Sequence, residues 1–520
     1  MMSETVAGLI RSHEEGAPAI GAPGRGWLTY GELRALSART GEALREAGIG
    51  ARDRVAIVLP NGAEMAAAFV TVAQHATTAP LNPAYREDEF AFYLEDLGAR
   101  AVVLAEGEDG PAAAAAARLG LSVLRLSAEE DAPAGSFSLT PEGAAPAVVA
   151  PEGTPGEDDV ALILHTSGTT SRPKIVPLLQ SNVAASARNI MESLRLVPED
   201  RCLNVMPLFH IHGLIAAVSA TLAAGASISC TPGFDALRFY GWLDEVEPTW
   251  YTAVPTMHQA ILARAPRNAE AIGRARLRFL RSSSASLPAP VMTKLAETFG
   301  APVVEAYGMT EATHQMCSNP LGEGRQRPGS VGVPAGPLVR IAHEAEDRLL
   351  GGSDEATGVT GEVAISGPNV TPGYESNPEA NEKNFFEADG RRWFRTGDQG
   401  AFEEGGYLRL TGRLKEIINR GGEKVSPLEV DDVLSDHPAV AQAVCFALPH
   451  PKLGEEVAAA IVLREGEDAT EAAIRDFASG RLAAFKVPRK VVILEEIPKG
   501  ATGKLQRIGL AEKLGLVEPT

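Results

Sequence analysis

Residues 165–174 read HTSGTTSRPK and follow a short apolar stretch, residues 160–164 (VALIL). An apolar run of that length ending in small polar residues reads as a buried strand that opens into a loop. Gly168 permits a tight backbone path whose free N–H groups can cradle phosphate oxygens. Ser167, Thr169 and Thr170 add hydroxyl donors and Lys174 supplies a cation, a combination that suits a triphosphate. The segment is not a Walker A loop, because GxxxxGK[ST] is absent from it. A serine- and threonine-rich surface turn would have the same composition, but the strand leading in and RPK leading out favour phosphate binding.

Further segments follow in order: YGMTE (307–311) behind an apolar run, WFRTGD (393–398), YLRLTGRLK (407–415), RGGEKVSP (420–427) and PKGATGK (498–504). Each is weak alone, since Asp398 could form a turn, RGG an ordinary hairpin and GK a surface loop. Together with HTSGTTSRPK they resemble the motifs of the adenylate-forming, AMP-binding superfamily, which includes acyl-CoA synthetases, peptide-synthetase adenylation domains and luciferases. Ser171 and Ile175 stand where the usual family form has glycine.

The resemblance implies ATP, Mg²⁺ and coenzyme A, and it implies site residues. Nucleotide contacts are expected from Thr166, Ser167, Gly168, Thr169, Thr170, Lys174, Ser284, Ala285, Glu305, Ala306, Tyr307, Thr310, Asp398, Arg413 and Lys504. Among these, Tyr307 would stack on or flank the adenine and Thr310 would touch the α-phosphate. Glu311 would ligate Mg²⁺, a hard cation that wants carboxylate and phosphate oxygens together. Asp398 would accept from both ribose hydroxyls, because a carboxylate offers two acceptor oxygens. Arg413 would add a ribose or phosphate contact. Lys174, Thr310, Glu311 and Lys504 form the expected catalytic set, Lys415 the hinge between two domains, and Gly421, Gly422 and Lys424 the coenzyme A face. Two half-reactions follow: a carboxylate attacks the ATP α-phosphate, then a thiol attacks the acyl-adenylate after the C-terminal domain rotates.

The acyl side carries polar groups. His210 and His212 lie in PLFHIHG, Ser282, Ser283, Ser284 and Ser286 in RSSSASL, and His314 in ATHQM just past Glu311. Long-chain and aromatic acids need apolar pockets. Imidazoles and hydroxyls instead hydrogen-bond the second carboxylate of a short diacid, although each histidine alone could be a satisfied core residue. MPLFHIHGL, YTAVPTMHQ, RSSSASL, EATHQMCSNP, RPGSVG, GPNVTPGY, INRGGEKVSPLEV and AAFKVP resemble the oxalate–CoA ligases of plants, fungi and bacteria, with Ile175, Ser283 and Gly308 as departures. That resemblance implies oxalate as the acid, His210, His212, Ser284 and His314 as its binding residues. The alternatives are a ligase for a medium-chain or aromatic acid such as 4-coumarate, with Val254, Met257 and Leu287 lining a tunnel, an adenylating module that loads a carrier protein, and a non-catalytic binding protein.

The elements that position these groups follow from pattern. The 520 residues exceed one ordinary core, so two or more domains are expected. Apolar runs alternate with helical patterns, which signals α/β architecture. TYGE (29–32) has capping-box spacing ahead of Leu33, Leu36 and Leu44 on one helical stripe. Residues 54–59, 101–104 and 121–126 read as strands and 64–74 as a helix. Residues 127–158, rich in Pro, Gly, Ala and Glu, read as a long surface connection. A second α/β stretch covers 200–315, with 213–230 as a buried helix followed by a buried strand. Short strands begin near residue 341. The expected whole is an α/β N-terminal adenylating domain, residues 1–412, built of two α/β layers and a β-rich subdomain. A small mobile α+β domain, residues 413–520, completes it, with helices at 428–434 and 471–482 and strands at 440–448, 457–463 and 490–494.

Apolar residues make up 45% and charged residues 22%, the balance of a globular protein, and the net charge of −19 disfavours nucleic acid or an anionic membrane as partner. The longest apolar run falls short of the roughly 20 residues needed to cross a bilayer. The first residues lack the apolar core of a secretory signal, and VEPT is not a peroxisomal address. Cys202, Cys230, Cys317 and Cys445 have no metal-type spacing, so a reducing cytoplasm is expected. The oligomeric state stays open.

Overall fold

Strands at Arg54–Val58, Ala101–Ala105 and Val160–Thr166 are almost wholly buried, as continuous Val, Ile, Leu and Ala require when helices cover both faces of a parallel sheet. The computed structural model describes residues 4–128, 131–142, 149–151, 153–166, 173–498 and 505–517. Among them the strands form four sheets.

The first has the order Ser138–Pro141, Ser122–Ser127, Ala101–Ala105, Arg54–Val58, Thr77–Pro80, Val160–Thr166, Lys174–Leu179, parallel except at its two ends. The second is longer. Its parallel centre runs Val303–Met309, Phe279–Ser282, Trp250–Ala253, Arg201–Asn204, Ser227–Cys230, Pro18–Gly21. His314–Ser318 turns back antiparallel on Val303–Met309. A single core cluster holds residues of both sheets, among them Val55, Leu162, Cys202 and Ile228.

The helix Ala63–Val72 belongs to that shared core. Every residue in it but Glu64 is buried, which its many alanines make possible, and Glu64 pairs with Arg25 at 2.6 Å. The π-type helix His212–Ser219 is buried along its whole length and carries no acidic or basic residue after His212. It leads through Ala220–Ala223 to the strand Ser227–Cys230, as the pattern over 213–230 predicts. Thr29 caps the helix Tyr30–Glu46 reciprocally: the Glu32 N–H donates to its Oγ1 at 3.2 Å, and its own N–H donates to Glu32 Oε2 at 2.8 Å.

The third sheet, antiparallel, contains Leu338–Ala342, Thr360–Ser366, the long Arg391–Glu403 and Tyr407–Arg413. The fourth joins Ile418–Arg420, Glu423–Val425, Val440–His450, Gly454–Leu463 and Lys490–Leu494 over the helices Pro427–Ser435 and Glu471–Ser479. It docks on the rest of the chain through Lys424 Nζ to Glu344 Oε2 (2.6 Å) and Gln442 Nε2 to Gln259 Oε1 (3.1 Å).

Residues 127–158 are not only a surface connection. Ser138–Pro141 pairs antiparallel with Ser122–Ser127, and Ala134 and Phe137 are buried. Pro and Gly in that stretch mask a strand because an edge strand needs only one partner and few apolar residues.

Candidate active site

The carboxyl ends of neighbouring parallel strands are where an open α/β sheet exposes unpaired backbone and loops, and where ligands bind. Here those ends belong to Val160–Thr166, Arg201–Asn204, Trp250–Ala253, Phe279–Ser282 and Val303–Met309. All the expected site segments up to His314 leave the two sheets at these ends. Thr166 pairs with Lys174 across the hairpin that carries HTSGTTSRPK. Ser167, Gly168, Thr169, Thr170 and Lys504 lie outside the described residues.

Lys174 and Glu311 face one aromatic ring. The Lys174 ammonium stands 4.2 Å from the centroid of Tyr374, and the Tyr374 hydroxyl donates to Glu311 Oε1 at 2.8 Å. Thr310 and Glu311 form the 3-10 turn Thr310–Ala312, tied to the loop after the strand Thr360–Ser366 by Thr371 N–H donating to Glu311 O at 2.8 Å. Burial raises the Glu311 carboxyl above the usual range, and the Tyr374 hydroxyl and Lys174 oppose that shift. Burial lowers Lys174, Glu311 opposes it, and the nearby positive charge of Lys415 lowers it further. Tyr374, the last residue of GPNVTPGY, has no role legible in the sequence. A tyrosine beside a Pro-Gly pair carries no local sign of its distant partner.

Asp398 sits inside the strand Arg391–Glu403, opposite Arg413. Its Oδ2 accepts the Tyr307 hydroxyl and its Oδ1 lies 3.3 Å from Arg413 Nε. The three residues expected around a ribose and adenine are therefore linked, by one hydrogen bond and one ion pair to Asp398, and Tyr307 enters the group through its hydroxyl. Glu305 is buried and pushed up to about 8 by desolvation. Its Oε1 accepts the Leu287 N–H at 2.9 Å, and its Oε2 has no hydrogen-bond partner among the described residues. Ala306 is buried with its carbonyl taken by Ser283 Oγ at 2.8 Å, while Ala285 is exposed.

On the acyl side, His212 is fully buried, with Nδ1 3.0 Å from Ser284 Oγ and Nε2 2.6 Å from Thr252 Oγ1. Its ring lies edge-on to His314 with centroids 5.1 Å apart. His210, half-buried, accepts the His212 N–H through Nδ1 at 3.3 Å. Gly308 makes this hairpin possible: a Cβ there would stand 1.8 Å from the His314 carbonyl oxygen. Thr313 and His314 take positive φ of 48° and 95°, and Ser284 takes 73°.

Behind His212 lies a residue the sequence reading passed over. Arg281 is fully buried, and its Nη1 reaches His212 Nε2 at 3.4 Å and Thr252 Oγ1 at 3.5 Å. Its Nη2 donates to Gln315 Oε1 at 3.3 Å. Burial lowers it to about 9, and among the described residues no carboxylate pairs with it. An arginine inside the short strand Phe279–Ser282, directly after Phe279 and Leu280, was the available signal.

Gly421 and Gly422 form the turn between Ile418–Arg420 and Glu423–Val425 with positive φ of 62° and 97°. Side chains alternate along a strand. Asp398 meets Tyr307, while its neighbour Gln399 donates to Glu344 at 2.6 Å, and Glu344 holds Lys424. The structure thus sets Lys424 on the opposite face of the third sheet from Asp398, and does not bring the Gly421–Lys424 segment to the acyl pocket.

The family model of the AMP-binding enzymes matches residues 10–375, and that of the AMP-binding enzyme C-terminal domain matches residues 429–504. The chain belongs to the AMP-binding enzyme family. It is 45% identical over 517 residues to an oxalate–CoA ligase of Arabidopsis thaliana, covering 98% of each chain. It is 41% identical to an oxalate–CoA ligase of Saccharomyces cerevisiae, over 89% of this chain and 87% of that one. Among solved structures, ATP-bound MatB of Rhodopseudomonas palustris superposes with a TM-score of 0.85 at 29% identity, covering 98% of this chain and 99% of that one. No helix among the described residues is long and apolar enough to cross a membrane.

Proposed function

We propose that oxalate is the acid this ATP-dependent, AMP-forming acid–CoA ligase activates, with oxalyl-CoA, AMP and pyrophosphate as products. The observation that carries the reading is the acyl end of the cleft, where His212, His314, Ser284, Thr252 and Arg281 cluster in place of an apolar tunnel. The residues that would line a tunnel for an aromatic or medium-chain acid are committed elsewhere. Leu287 belongs to the core with Leu280 and Leu295, Met257 packs against that core, and Val254 is buried.

In this reading Tyr307, Asp398 and Arg413 hold the adenosine, with Asp398 accepting from the ribose hydroxyls. Lys174 and Lys504 offset negative charge as the carboxylate oxygen bonds to the α-phosphorus and pyrophosphate leaves. Ser284 and His314 orient the acid, so that one carboxylate attacks while the other is held. Mg²⁺ fits the donor set. Glu311 is one buried carboxylate, and no group of three His, Cys, Asp or Glu among the described residues could cage an ion. That suits a cation that takes one carboxylate and completes its shell with phosphates and water, where it neutralises phosphate charge. The domain boundary is assigned at residues 412 and 413 with Lys415 as the hinge. Rotation there would free Lys424 from Glu344 and carry Gly421 and Gly422 toward the acyl-adenylate for attack by the coenzyme A thiol. A reducing cytoplasmic setting belongs to the same reading, supported by four free, buried cysteines.

The test is a panel of oxalate, malonate, acetate, octanoate and 4-coumarate with ATP, Mg²⁺ and coenzyme A, following AMP release and thioester formation. Oxalate is expected to dominate. Turnover of octanoate or 4-coumarate far above oxalate would overturn the substrate.

A further inference from the structure

Arg281 is a fully buried cation on the acyl side of the site, and among the described residues it makes no salt bridge. A buried, uncompensated charge is costly, so its retention calls for a partner that arrives with the ligand or a role in ordering its neighbours. The contacts identify the neighbour. A guanidinium only donates, so where Nη1 meets His212 Nε2 at 3.4 Å that nitrogen accepts. Thr252 Oγ1, 2.6 Å from the same nitrogen, gives its proton in the same direction. In a neutral imidazole the hydrogen then resides on Nδ1, which points at Ser284 Oγ at 3.0 Å. Ser284 accepts that hydrogen bond and keeps its own proton to give. It is only half-buried, in a left-handed conformation at the head of the loop after Phe279–Ser282, next to the exposed Ala285.

We propose that Arg281 is a positioning and specificity residue: it holds His212 in the Nδ1–H form, which turns the Ser284 hydroxyl into a donor for the second carboxylate of a small dicarboxylate. Its positive charge, answered by no carboxylate among the described residues, makes this end of the cleft favour a dianionic acid over a monoanionic one. The inference rests on the oxalate reading of the site. A purely structural Arg281, pinned between Thr252 and Gln315, would affect all acids alike.

The tautomer and the specificity are read separately. Nitrogen-15 NMR of the histidine-labelled full-length protein, with the His212 signals assigned by their loss in His212→Asn, should show Nε2 unprotonated and Nδ1 carrying the hydrogen. An Nε2–H signal overturns the proposal. In pyrophosphate–ATP exchange, Arg281→Met should lower the oxalate-to-acetate ratio of kcat/KM by about ten- to a hundredfold, the worth of one hydrogen bond to a charged group. A parallel loss with both acids overturns it. Should the methionine variant fail to fold, two other variants decide. His212→Asn keeps an amide donor near the Nδ1 position and should retain more oxalate exchange than His212→Gln, which moves that donor to the Nε2 position. The reverse order overturns the proposal. If the wild-type enzyme exchanges with acetate and not with oxalate, the substrate reading falls and takes the specificity half of this inference with it. The NMR result then stands alone on the positioning half.

Discussion

Tyr374→Phe deletes one oxygen atom and tests how the buried carboxylate of Glu311 is kept charged. The ring remains, so the Lys174 ammonium keeps its place 4.2 Å from the centroid, and only the 2.8 Å hydrogen bond to Glu311 Oε1 is lost. Burial already raises Glu311, and the Tyr374 hydroxyl is the first of the groups that oppose the rise. Its removal therefore raises Glu311 further. A hydrogen bond to a charged group contributes about 1.5–3 kcal/mol, so kcat/KM for adenylate formation should fall by roughly one to two powers of ten where Glu311 is partly protonated. A group whose folded pKa lies above its unfolded value stabilises the fold below the unfolded pKa, and that contribution is lost as pH rises through the folded pKa. The variant should thus melt nearest to wild type at about pH 5 and fall behind as pH rises, while its activity deficit shrinks over the same range. Pyrophosphate–ATP exchange and thermal melting, both run across pH, measure the two trends. A deficit equal at every pH, or an activity limb displaced to lower pH, would refute the reasoning.

Three further outcomes are expected. Lys504→Ala should abolish adenylate formation yet leave thioester formation from supplied acyl-adenylate largely intact, and equal loss of both half-reactions would remove its assigned role. Gly308→Ala should destabilise the protein by about 3 kcal/mol in chemical denaturation, because the added Cβ meets backbone that no rotamer can relieve, and a variant as stable as wild type would contradict the 1.8 Å approach to the His314 carbonyl. Glu344→Gln breaks a partly exposed ion pair with Lys424, so global stability should change by less than about 1 kcal/mol. The same variant should speed thioester formation from supplied acyl-adenylate in stopped flow, and a slower step would argue that the Lys424–Glu344 pair does not hold the C-terminal domain back.

Local features were legible because their causes are local. The strand Arg54–Val58 and the helix Tyr30–Glu46 follow from apolar continuity and from the Thr29–Glu32 spacing, each a matter of a few neighbouring residues. The strand Ser138–Pro141 was not legible, since its pairing partner, and not its composition, makes it a strand. Arg281 was not legible for a related reason: a charged residue near a strand end reads as solvent-facing until neighbouring strands bury it.

The sequence by itself determined the chemistry available to this protein. The order of HTSGTTSRPK, YGMTE, RTGD and PKGATGK marks the family to which the chain belongs, and PLFHIHG, RSSSASL and ATHQM supply its histidines and serines. The tertiary structure decided which of these groups touch. Tyr374 reaches Glu311 across 63 positions, Tyr307 reaches Asp398 across 91, and Arg281 reaches His212 across 69. The physical reason lies in the sheets. Side-chain periodicity reports which face of a strand is buried, but strand neighbours and their register are set by crossover connections and by packing of helices on both faces. Those contacts turn scattered polar residues into one buried cluster at the end of the second sheet.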